Sequence, residues 1–72
     1  MSIQEIIAAH PKCWERFKDG ESLTTYDSPL FKALYEHWLA EGEMPIGVAK
    51  ARTGDPDTWI SDKLEAYLYA TS

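Results

Sequence analysis

Apolar residues recur along this chain at helical rather than strand spacing, and the polar residues between them mark where each helix starts and stops. Ile3, Ile7, His10, Trp14 and Phe17 follow one another at intervals of four, three, four and three, with Ile6 and Cys13 widening the stripe. That rhythm predicts a helix over about 2–19 with one face against a core. Ser2 with Glu5 three residues on has the form of a capping box, in which hydroxyl and carboxylate satisfy each other's unpaired amides. Pro11 falls inside the stripe. It lacks an amide, its ring collides with the Ile7 carbonyl and it drives His10 out of the helical region, so a kink or a break is expected at residues 9–11. Gly20 then ends the segment.

Residues 20–28 show neither period and are rich in turn formers, which predicts a surface loop pinned to the core by Leu23 and Tyr26. Ser28 and Pro29 make an N-cap and first-turn pair, and Gly42 is a suitable C′ residue, which bounds a helix at about 29–41. Its apolar residues Leu30, Phe31, Leu34, Tyr35, Trp38 and Leu39 cover an arc of about 180°, wider than the ~100° of an ordinary surface helix. Such a helix is either central or shared with a partner.

Pro45 opens a weaker helix over 45–53, made marginal by Gly47 and helped by Lys50 and Arg52 near its C-terminal end, where cations complement the dipole. Asp55-Pro56-Asp57 supplies an N-cap, a first-turn proline and a first-turn acid for a last helix over about 56–69. Trp59, Ile60, Leu64, Tyr67 and Leu68 form its apolar face. The fold class is therefore all-α, a compact bundle of three to four short helices forming a single domain over residues 1–72.

Composition narrows the picture. A chain of 72 residues buries only about 60% of its unfolded surface. Its single cysteine, Cys13, excludes a disulfide framework and leaves oligomerisation as the remaining device for stabilising a small core. No apolar run approaches the ~20 residues that span a bilayer, and the first residues carry no basic segment, so a cytoplasmic protein with no membrane partner is expected.

The net charge is −5, the wrong sign for binding a phosphate backbone. It is also uneven, with Glu21, Asp27, Glu36, Glu41 and Glu43 against Lys32 alone between residues 21 and 44. Lys50 and Arg52 make a local basic spot. A helix-turn-helix over 45–67 could bring that spot to DNA within a dimer, as a transcriptional regulator would. Against it, Lys50 stands where the motif wants a small residue, Asp55 where it wants an apolar one, and the would-be recognition helix carries Asp57, Asp62 and Glu65 against Lys63. Nucleic acid is thus the less favoured partner.

His10, Cys13 and His37 are too few for a four-ligand structural zinc site, so no metal and no cofactor is expected. A Cys–His nucleophile would need a base and an oxyanion site within a pocket that a chain this short has little material to build, so no enzyme is expected either. Glycine-rich phosphate loops are absent.

Aromatic content is the remaining signal. Nine rings, with Trp14, Trp38 and Trp59 one to each main helix, exceed what a small core can hold, and Tyr69 falls on the polar side of the last helix. Partly exposed rings beside carboxylates suit protein binding, since Trp and Tyr dominate interface energetics while an acidic rim steers basic partners. The expected contact surface is Phe31, Tyr35, Trp38 and Leu39 with Glu36, Glu41 and Glu43 as its rim, serving both self-association into a homo-oligomer and the binding of another protein.

Leu34-Tyr35-Glu36-His37-Trp38-Leu39, followed by Met44-Pro45-Ile46-Gly47-Val48-Ala49-Lys50-Ala51-Arg52-Thr53-Gly54-Asp55-Pro56, resembles small accessory proteins of tailed phages and prophages of enteric bacteria. The resemblance covers the C-terminal half and implies a short helical protein that binds and adjusts a host or phage protein. It transfers no functional residues.

Overall fold

The computed structural model describes residues 2–50 and 55–71, and among them five helices follow one another: α1 (Ile3–Ala9), α2 (Pro11–Lys18), α3 (Pro29–Glu41), α4 (Ile46–Ala49) and α5 (Asp55–Thr71). The class is all-α, as the periodicity predicts. Pro11 breaks the first helix rather than kinking it. His10 sits at φ −131° and ψ 62°, ending α1 with its amide on the Ile7 carbonyl and opening α2 with its own carbonyl. A proline at N1 then costs nothing, because the missing amide would have had no intrahelical partner.

The other start signals take structural form with one change. Ser28 is buried, and its Oγ accepts from the Phe31 amide at 3.3 Å. Ser2 Oγ accepts from the Glu5 amide at 3.2 Å, but its hydroxyl donates to Glu5 Oε1 at 3.3 Å, where a full capping box would bond the carboxylate to the Ser2 amide. α5 begins one residue earlier than expected, with Asp55 and Asp57 both in its first turn. The expected extension of α4 through residue 53 reaches residues outside the described ones.

α2 and α3 end in the same way. Gly20 (φ 88°) and Gly42 (φ 76°) take the left-handed conformation. Around Gly20 the Glu21 amide bonds the Arg16 carbonyl and the Gly20 amide bonds that of Phe17; around Gly42 the Glu43 amide bonds Trp38 and the Gly42 amide bonds Leu39. These paired bonds are Schellman closures, which satisfy carbonyls that the helix end leaves open.

α3 is the hub. α1, α2 and α5 all pack against it, and α4 lies against α5. Leu30, Phe31 and Leu34 are completely enclosed, together with Ile60 and Leu64 of α5, and Ile6, Ile7, Leu23, Trp38 and Met44 complete the core. Trp14, Phe17, Trp59 and Tyr67 pack partly buried at its edge. The Cα radius of gyration, 11.4 Å, matches the about 11 Å of a compact chain this long.

The 20–28 loop is held at two points. Leu23 is buried as expected, whereas Tyr26 is 95% exposed and pins nothing. Its place is taken by a polar tether: the Thr25 amide donates to Asp57 Oδ1 of α5 at 2.7 Å.

Candidate functional site

The wide apolar arc of α3 divides once the helix is packed. Phe31 is 0% and Trp38 5% exposed, so these two expected contact residues belong to the interior. The physical reason is that α3 is covered by α1 and α2 as well as by α5, so neighbours inside the same chain reach most of the arc. Phe31 lies 6.1 Å from the Phe17 ring, and Trp38 meets Trp59 edge-on at 5.3 Å.

Tyr35 is half-buried, with its hydroxyl donating to the Ala49 carbonyl at 3.1 Å. It fastens α4 to α3, which is a structural use of its polar tip. Leu39 stays open at 44% exposure, and Ile46, which the periodicity of α3 could not reveal, stands out at 70%. The two are joined through the Gly42 turn, at the end of α3 and the start of α4.

Glu36, Glu41 and Glu43 are exposed. Lys63 Nζ reaches Glu43 at 3.9 Å and sits 5.2 Å over the Trp59 ring, so Trp38, Trp59, Lys63 and Glu43 form one continuous stack from core to surface. Neither Glu36 nor Glu41 has an ion-pair partner among the described residues. The last turn of α3 holds no basic residue. Glu41 and Glu43 therefore add to the negative end of the helix dipole instead of opposing it, an arrangement unfavourable to the isolated helix.

The remaining candidates are dispersed. His10 lies at the α1–α2 junction, Cys13 is half-buried against the core, and His37 faces Trp38 with ring centroids 6.4 Å apart. Among the described residues, no group of three or more His, Cys, Asp or Glu side chains is placed to hold a metal ion, and no helix is long and apolar enough to cross a membrane. Lys50 is exposed at the end of α4, and Arg52 lies outside the described residues.

No protein-family model matches the chain, and no curated protein or solved structure is significantly similar to it.

Proposed function

We propose that this chain is a non-catalytic protein-binding module whose contact surface is the corner between the end of α3 and the start of α4. Leu39 and Ile46 supply the apolar anchor, and Glu36, Glu41 and Glu43 supply the rim. The observation that carries this reading is the pair of exposed aliphatic side chains at the end of α3 and the start of α4, together with Glu36 and Glu41, which are exposed and have no ion pair among the described residues. Glu41 departs from the dipole rule with no cation in the last turn of α3, and such local departures are expected at functional sites. The partner should present basic residues around an apolar pocket. In keeping with the phage-like character of residues 34–56, that partner is a host or phage protein.

The same surface disfavours self-association. With Phe31 and Trp38 inside, a twofold pairing through α3 would gain little apolar area and would set the acidic rim of one copy against that of the other.

Affinity capture from a host lysate tests the reading when wild type is compared with the double variant Leu39→Ser, Ile46→Ser. A protein retained by wild type and released by moderate salt, but lost with the variant at unchanged helicity and melting temperature, is the expected result. Equal capture by both chains, or none by either, would overturn it.

A further inference from the structure

A concave surface lies away from that corner, between the C-terminal end of α2 and the outer side of α5. It is an open groove of about 320 Å³, within the size range of ligand-binding clefts. Phe17 and Leu68 contribute apolar surface, while Ser22 and Ser61 contribute hydroxyls.

Three charged residues line it, Lys18, Glu21 and Glu65, and two of them are already engaged. The Lys18 ammonium lies 2.8 Å from Glu15 and above the Trp14 ring. Both carboxylate oxygens of Glu21 are taken by Arg16. Glu65 is exposed and has no ion pair among the described residues, so it sets the charge that the groove offers a ligand.

An apolar wall beside one free carboxylate complements a side chain with a hydrocarbon stem and a cationic head. Arginine fits better than lysine. Its planar guanidinium can pair a carboxylate through two bonds and lie on an aromatic face, and Tyr69 also lines the groove. We propose that this groove receives an arginine side chain of a protein partner, with Glu65 as its counter-charge. The proposal is independent of the α3–α4 corner and goes beyond it.

The test is a titration of the ¹⁵N-labelled full chain with the peptide acetyl-Ala-Arg-Ala-amide, compared with its Gln and Lys counterparts. Saturable shifts are expected at the Ser22, Ser61 and Glu65 amides. Affinity should fall roughly fivefold or more when Gln replaces the peptide's Arg, or when the chain carries Glu65→Gln. Equal binding of the Arg and Gln peptides, unchanged affinity in Glu65→Gln, or tighter binding of the Lys peptide would overturn the assignment. Shifts confined to Leu39, Glu41 and Ile46 would also overturn it, while leaving the corner as a basic-partner surface.

Discussion

The Arg16 guanidinium grips both carboxylate oxygens of Glu21, Nη2 to Oε1 at 2.8 Å and Nε to Oε2 at 3.1 Å. The pair spans the closure that ends α2, at the two positions where an apolar contact commonly accompanies a Schellman motif. Here a salt bridge occupies that place. The hydrogen bond from Arg16, aided by its charge, holds the Glu21 carboxyl below its ordinary value of 4.5. A depressed folded value means that the stabilisation is fully present above about pH 4.5 and disappears as pH falls through the lowered value. An NMR titration should find Glu21 below its ordinary value, and Arg16→Gln should return it towards that value. Both groups are exposed, so the accompanying change in stability is small.

Gly42 and Gly47 should respond in opposite directions to the same substitution. A Cβ would meet no atom within 4 Å at either position, but Gly42 alone has a positive φ. Gly42→Ala therefore costs about 1–2 kcal/mol of backbone strain, whereas Gly47→Ala, inside α4, stabilises by about 0.5–1 kcal/mol. Urea unfolding with an unchanged m-value checks both.

The tether between Thr25 and Asp57 joins groups 32 residues apart in sequence. Asp57→Ala should destabilise the chain by about 1.5–3 kcal/mol, with a further small loss from the helix dipole. Asp57→Asn, which keeps an acceptor, should lose less. Hydrogen exchange at the Thr25 amide reports the tether directly and should accelerate in the alanine variant.

Phe31 and Leu39 separate folding from binding. Phe31→Ala removes an enclosed ring and should cost about 3–5 kcal/mol, a large share of the stability of a domain this small. Leu39→Ser should change stability by less than about 0.5 kcal/mol and weaken partner binding instead. A Leu39→Ser chain that melts like wild type and binds its partner equally well would remove Leu39 from the contact surface.

What the sequence made legible was punctuation. Ser28, Pro29, Gly42 and Pro11 act through their own backbone geometry, and each marks a helix boundary close to the position read from it. The fate of the apolar residues of α3 was harder to read, because periodicity reports the width of a face and not how many neighbours will cover it. Three helices meet this one, so Phe31 and Trp38 are interior while Leu39, at the end of the arc, is not. Ile46 escaped notice because α4 is too short to define a face. The loop showed the same limit: Leu23 and Tyr26 look equally able to anchor it, and only the turn over residues 25–27 sends the ring of Tyr26 into solvent. Asp57 was legible as a first-turn acid, but its bond to Thr25 joins distant segments and leaves no local trace.

The central placement of α3 also governs how this protein can come into being. Its flanking walls are drawn from α1 and α2 before it and from α5 after it, so the core is unfinished until α5 has been made. Until α5 has emerged from the ribosome, the side of Trp38 that meets Trp59 remains open to chaperones and to other nascent chains.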